Sequence, residues 1–362
     1  MKDRNDGISL LRIFSMFGIV GLHVINNGGI INNLSIYSYK YYFVLLFLTI
    51  IYCSVDVFAL MSGFLNINKT VNKHSRIVEL LFILLFYCLI IPIIFYSFNL
   101  CNIRFLGLKN LIINFVPFLV GRYWYITSYV FLFFLIPYIN FFIKSLSKKR
   151  AKKFLLLSFV FLSIIPNLFF QIDLFKINNG YSPFWLIYLY MVGGYIKLHS
   201  NKIEKKSVLK YMFAFLLCAF IFNCFIRIIT NIIFGKIYNP EYFINYISPF
   251  IVGMSICLLL IFNNISIKEI KLKKIINYLS SSAFSVYIIH SHKIIFDYVL
   301  RDFFIPLNSH NVVLLMLCII MSIIIIYLIC TLIDEIRKFI FKFLKINYLI
   351  DIIGKKIDLL LE

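Results

Sequence analysis

The stretch LLRIFSMFGIVGLHV, Leu10 to Val24, decides what kind of fold this chain has. It is apolar enough to enter lipid, yet it carries Arg12 and His23. In a helix these residues lie about 20° past three full turns from one another and about 16 Å apart along the axis, so they share one face. Ser15 falls on the same side as Arg12, which gives the helix a polar seam facing its neighbours rather than lipid. An ionisable group at mid-membrane costs a few kcal/mol or more, so the seam marks either a functional cavity or a structural ion pair.

The rest of the chain has the same character. Its 362 residues are 62% hydrophobic and 19% aromatic, against roughly 45–50% apolar residues in a soluble domain, and the mean hydropathy is +0.94. Apolar runs long enough to cross about 30 Å of hydrocarbon as helices recur throughout. Lipid obliges each span to satisfy its own backbone, so the expected fold is all-α, a polytopic transmembrane helix bundle. Ten spans are expected, near residues 8-26, 41-64, 77-97, 122-143, 154-171, 183-197, 211-232, 243-262, 276-295 and 311-333. Residues 110–120 read as a re-entrant half-helix.

The formal net charge of +21 would suit a nucleic-acid partner on a soluble protein. Here the basic residues sit in short runs between apolar spans, so they report topology and no nucleic acid is expected. Twenty-six of the 36 Lys and Arg residues fall in alternate connections that include both termini, and eight in the opposite set. The positive-inside rule then places both termini in the cytoplasm. The first segment has no small-residue cleavage site after its Asn26-Asn27 end, so it is expected to be retained. The eight cysteines lie mostly in apolar runs with no CxxC pair and no metal-ligand spacing, and read as packing residues.

Residues 1-333 are expected to form one membrane domain. Residues 334-362 alternate Lys and Arg with Phe, Leu and Ile, as in an amphipathic helix lying on the inner leaflet.

Further polar groups fall inside the spans. Asp56 is placed to pair with Arg12 across a helix interface, fixing helix packing. Ser62-Gly63 offers a hydroxyl and a close backbone approach. Arg122, Tyr125 and Tyr129 form one helical stripe with Ser128 beside it, while Tyr123 and Trp124 suit an interfacial aromatic belt. Asn223, Arg227 and Asn231 repeat the device at spacing four, and periodicity does not distinguish a hydrated cavity from a buried network. Tyr287 and His290 stand at i and i+3 beyond Ser280 to Ser282, with His292 expected nearer solvent. A polar interior built from spans one, two, four, seven and nine follows.

These residues resemble the acyltransferase 3 family of integral-membrane acyltransferases, and within it the bacterial surface-polysaccharide O-acetyltransferases. The resemblance rests on Arg12 and His23 with ten residues between them, DVFALMSGF from Asp56 to Phe64, WYITSYVFLFFLIP from Trp124 to Pro137, and SAFSVYIIH ending at His290. It extends over most of the chain. Three positions depart from the family pattern: Lys73 and Arg76 stand for its R-x-x-R, Arg122 stands where some members have His, and Ala59 replaces an aromatic.

The resemblance implies a multi-pass enzyme of the bacterial plasma (inner) membrane, with acetyl-CoA or another acyl-CoA as co-substrate rather than a bound cofactor. It implies a hydroxyl of a cell-surface or lipid-linked glycan as acceptor. On that basis Lys69, Lys73 and Arg76 would meet the donor phosphates, with Ser62 beside them. Arg12 would grip the donor or polarise its thioester, and His23 would take the hydroxyl proton. Tyr287 and His290 would stabilise the oxyanion or shape the acceptor site, with Asp56 in support. Arg122, Trp124, Tyr125 and Tyr129 would contact the acceptor. The fused extracytoplasmic esterase-like domain of some relatives does not fit in 362 residues, so transfer is expected to be completed by this chain or handed to a separate partner. A homo-oligomer is compatible with the sequence. The alternative is a polysaccharide or lipid-linked glycan transporter, which also needs an intramembrane polar seam.

Overall fold

The computed structural model describes residues 5–100, 113–169, 173–200 and 204–361. Among them there are helices and turns and no strand. In chain order the principal helices are α1 (Asp6–Asn26), α2 (Tyr39–Tyr52), α3 (Ser54–Asn66), α4 (His74–Ser97), α5 (Trp124–Ser145) and α6 (Lys148–Phe159). They are followed by α7 (Pro183–His199), α8 (Lys205–Phe234), α9 (Pro249–Asn263), α10 (Ile270–His290), α11 (Val312–Phe343) and α12 (Ile346–Leu361). A π turn at Val160–Ile164 carries α6 on to Leu168.

Among the described residues seven stretches are long and apolar enough to cross a membrane: 6–33, 39–66, 74–97, 124–145, 148–168, 205–234 and 312–343. The other three expected spans correspond to α7, α9 and α10. The first two are short, at 17 and 15 residues, and α10 opens on Lys271, Lys273 and Lys274. Residues 110–112 of the expected half-helix lie outside the described residues; 113–115 are helical and 116–123 form turns.

The termini of α1 are fixed by different neighbours. At its start Asn5 donates to Asn263, Ser9 donates to Asn277, and Asp6 pairs with Lys273 at 3.1 Å. At its far end Asn27 donates to the Phe296 carbonyl at 2.8 Å and its own carbonyl accepts from Asp302. α1 therefore runs parallel to α10, with its start among basic connections and its finish among aromatic ones. These are called the basic end and the aromatic end below.

The second expected span is two helices. α2 and α3 meet at Cys53, whose carbonyl accepts from the Ser255 hydroxyl of α9 at 3.1 Å. α3 crosses α7 with almost no side chain between them: a Cβ on Gly63 would lie 1.9 Å from the Tyr190 carbonyl oxygen, and one on Gly193 2.0 Å from that of Leu60. Small residues permit this approach in a bundle where lipid supplies no hydrophobic drive for association.

The boundary expected after residue 333 falls inside a helix. α11 continues to Phe343, and Asp334 and Arg337 are buried and paired at 2.7 Å. The amphipathic segment proper is α12, docked on the start of α4. Asp358 accepts from the His74 backbone N–H at 3.2 Å and lies 2.5 Å from the His74 ring. That contact holds the Asp358 carboxyl below its usual range.

Candidate active site

One cavity of about 1480 Å³ runs beside α1 from Asn5 to Asn27, the whole length of the helix. A 21-residue helix spans about 31 Å, so the cavity joins the basic end to the aromatic end. Arg12, His23, Ser62, Lys69, Arg76, Trp124, Tyr125, Tyr129 and Tyr287 all line it. Arg12 and His23 of the α1 seam thus face open volume, whereas Ser15 is buried away from it.

At the basic end Lys69 is set by a short hydrogen-bonded relay. Its ammonium donates to the side-chain carbonyl of Asn66, whose amide donates to the Ser62 carbonyl at 2.8 Å. The backbone carbonyls of Asn66 and Lys69 both accept from Asn140 of α5, at 2.9 and 2.8 Å, and Asn140 accepts from Tyr190 at 2.9 Å. Sequence reasoning missed Lys197, Arg337 and Lys338, which join Lys69 and Arg76 around this mouth. The three belong to helices with no motif of their own, and only packing brings them to it. Lys73 is exposed and does not line the cavity.

Farther along, Arg12 donates to the Ser280 hydroxyl of α10 at 3.3 Å. The expected Arg12–Asp56 pair does not form. Asp56 is buried and accepts from the Trp185 indole at 3.2 Å, and its second oxygen has no hydrogen-bond partner among the described residues. Asp56 sits behind the cavity wall rather than in it, because the α3–α7 crossing turns it toward Trp185.

His23 is the focus of the site. Its ring lies 5.0 Å from that of His290 and 5.2 Å, edge to face, from that of Phe296. Nδ1 of His23 is buried without a hydrogen-bond partner among the described residues, which leaves Nε2 as the nitrogen open to the cavity. His290 is buried, and its Nδ1 lies 2.5 Å from the Val286 carbonyl. A carbonyl only accepts, so Nδ1 carries the proton and Nε2 is left as an acceptor, 3.5 Å from the Ser291 hydroxyl. His290 is therefore a fixed neighbour of His23 rather than a lining residue. Tyr287, one turn before it, does line the cavity.

The aromatic end brings together rings from four segments. Trp124 lies 4.7 Å from Tyr181 and 5.9 Å from Tyr246, nearly parallel to the latter, and Tyr181 lies 4.9 Å from Tyr246. Tyr52 lies 5.4 Å from Tyr246. Glu241 lines the same region, and burial together with its charge raises the Tyr181 phenol above its ordinary range. Tyr181 and Glu241 lie in connections without periodicity, and Tyr246 lies in turns ahead of α9 where a span was expected from 243, so no local pattern singled them out.

Three other expectations change. Arg122 does not line the cavity, and its guanidinium donates to Asn114. Tyr123 is buried and donates to the Ile288 carbonyl at 3.2 Å, so it is a core residue rather than part of an interfacial belt. His292 is also buried and accepts from the Ile294 N–H at 3.2 Å as a helix cap. The stripe on α8 lies apart from the cavity: Arg227 donates to Asn223 at 2.7 Å, to the Tyr41 hydroxyl and to the Pro240 carbonyl. Span seven therefore does not contribute to the polar interior, whereas α4, α11 and α12 do.

A chain of apolar helices around an Arg- and His-lined cavity defines a multi-pass membrane protein with a polar cavity inside its bundle. The family model for the acyltransferase domain of the acyltransferase 3 family matches residues 5–331, and the chain belongs to that family. It is a membrane acyltransferase. Neither the curated proteins nor the solved structures compared with it give a match.

Proposed function

We propose that this protein moves an acetyl or other short acyl group from cytoplasmic acyl-CoA to a hydroxyl of a cell-surface or lipid-linked glycan. The observation that carries the reading is the placement of Arg12 and His23 on one wall of a single cavity open from the basic to the aromatic end. On this reading the chain is a ten-span bundle of a bacterial plasma membrane, with the basic end and both termini on the cytoplasmic side, an orientation that the asymmetry of Lys and Arg supports.

On this reading the donor enters at the basic end, where Lys69 and Arg76 attract its phosphates. Its extended arm passes Arg12, whose charge is permanent and whose planar fork suits a polar group of the donor. The separation of Arg12 and His23, about 16 Å along the axis, is comparable to the reach of that arm. Nε2 of His23 then accepts the proton of the acceptor hydroxyl as its oxygen attacks the thioester carbonyl. The new C–O bond forms as the C–S bond breaks, and the proton passes from His23 to the departing thiolate. Tyr287 is the candidate donor to the oxyanion, and His290 holds the His23 ring in place.

The test is mass spectrometry of the host's surface polysaccharide from wild type, gene deletion, and deletion complemented with His23→Ala at matched protein level. Loss of one acyl mass per repeat in both mutant strains, with polymer still exported, is the expected result. Unchanged acylation with polymer missing from the surface would replace this reading with transport.

A further inference from the structure

We propose that the aromatic end of the cavity is a saccharide subsite with a built-in charge filter. Trp124, Tyr181 and Tyr246, packed against one another, form the aromatic floor of a box on which one sugar ring stacks, and the Glu241 carboxylate accepts from its hydroxyls, so a neutral or amine-bearing sugar is taken and one carrying its own carboxylate is refused. This deepens the acyltransferase reading and rests on it.

The chemistry of the lining supports this choice of ligand. The C–H faces of a pyranose carry slight positive charge and settle on the negative faces of aromatic rings. Three such rings stand 4.7 to 5.9 Å apart between centroids here. A carboxylate offers about four lone-pair sites and accepts charge-assisted hydrogen bonds from hydroxyls. Glu241 has no ion-pair partner among the described residues, and it lies within electrostatic reach of Tyr52, Tyr181 and Tyr246. Every Lys or Arg lining the cavity, Arg12, Lys69, Arg76, Lys197, Arg337 and Lys338, belongs to the basic half or to the start of α1. A carboxylate on the ligand would therefore meet Glu241 with no cation in the cavity lining at this end to pair with, the Arg227 guanidinium being taken up behind the wall by Asn223, Tyr41 and Pro240.

The box is also a built feature. Gly180, at φ +98°, sets Tyr181 in place, and a Cβ there would lie 2.6 Å from Cβ of Tyr246. Asp173 holds the approach to that turn, accepting from the N–H groups of Ile177 and Asn178 at 2.7 and 2.9 Å. On the other side, Glu241 sits between two residues whose carbonyls are clamped by α8. Asn223 donates to Pro240 at 3.0 Å and to Tyr242 at 2.6 Å, and Arg227 donates to Pro240 as well. Ser163 and Asn167 both donate to Ile247, at 2.6 and 3.1 Å, next to Tyr246. The buried network of α8 thus has a purpose: it props the segment that presents Glu241 and Tyr246 to the cavity.

Trp124 reports on the site directly, since the chain has only two tryptophans and the other, Trp185, is buried against Tyr188. The experiment is a fluorescence titration of the full chain in lipid nanodiscs with maltotriose, chitotriose, chitosan trimer and trigalacturonate, with acetyl-CoA titrated in parallel. At least one neutral or cationic trimer should quench Trp124 about tenfold more tightly than trigalacturonate, and the quench should vanish in Trp124→Phe. Glu241→Gln should close that gap by weakening the preferred trimer about tenfold and admitting trigalacturonate. Tyr181→Leu should weaken the preferred trimer about threefold to tenfold without changing the charge preference. Trigalacturonate binding as tightly as the others, a charge preference unchanged by Glu241→Gln, or no trimer binding to protein that still binds acetyl-CoA would overturn the subsite alone. Failure of both trimers and acetyl-CoA to bind would overturn the acyltransferase reading with it.

Discussion

α1 and α8 each carry an arginine on a polar stripe, and the two stripes have opposite structural fates. On α8 the guanidinium of Arg227 is consumed by Asn223, Tyr41 and Pro240, away from the cavity that α1 lines. On α1 the stripe opens onto a cavity of about 1480 Å³, and His23 keeps a buried nitrogen without a partner among the described residues. A satisfied polar cluster specifies packing, whereas an unsatisfied one beside open volume is poised for a ligand. The difference separates framework from chemistry without reference to either sequence pattern.

The comparison is broken most sharply at His23. His23→Ala should reduce acyl transfer by about 10²- to 10⁴-fold, the contribution of a positioned general base. The variant should unfold no more readily than wild type, because it removes an unpaired polar atom instead of leaving one. Steady-state transfer and thermal unfolding of the same preparation check both halves. A large loss of stability with activity per folded molecule preserved would make α1 framework like α8.

Arg227→Met should do the reverse. It leaves the Asn223 side-chain oxygen and the Tyr41 hydroxyl without that donor, at a cost of about 1–3 kcal/mol per orphaned group, and the Pro240 carbonyl with Asn223 alone. The unfolding temperature should fall, and because the Pro240 segment loosens, the acceptor KM should rise while the acyl-CoA KM stays put.

A smaller effect belongs to the cationic mouth. Removing one charge with Lys69→Ala or Arg76→Ala should raise the acyl-CoA KM severalfold to about tenfold at low salt. The gap should narrow as added salt shortens the Debye length to about 8 Å or less. A KM effect insensitive to ionic strength would mean that these side chains act by packing.

The smallest effect is expected at α12. The His74 contact depresses the Asp358 carboxyl, so docking gains stability that is present above the unfolded carboxylate value and is lost only as pH falls through the lower folded value. Docking should persist across neutral pH and loosen in acid. Asp358→Asn should loosen it at neutral pH already, read as faster hydrogen exchange over residues 346–361 with little change in the bundle. His74 is buried but Asp358 is partly exposed, which keeps the effect modest.

Much of the site was legible because membrane burial makes polar residues conspicuous. Arg12, His23, Ser62, Lys69, Arg76, Trp124, Tyr125, Tyr129 and Tyr287 stand out against apolar runs or cluster at their ends, and all line one cavity. Asp56 was equally conspicuous, but its partner, Trp185, is 129 positions away on a helix that reaches it only because Gly63 and Gly193 let the backbones touch. Arg122 and Lys73 look like binding residues by type and spacing, yet their rotation about the helix ends points them elsewhere.

The sequence by itself determined that this chain is a bundle of apolar helices with an Arg–His face on the first, since hydropathy and helical period are local properties of the chain. Only the tertiary structure decided which polar stripe faces a cavity and which is absorbed into the framework. It also decided that Glu241, Tyr181 and Tyr246 meet Trp124, and that basic residues of α7 and α11 join the donor mouth. These outcomes depend on how helices rotate and cross, and that is set by contacts between residues a hundred or more positions apart, which no local pattern encodes.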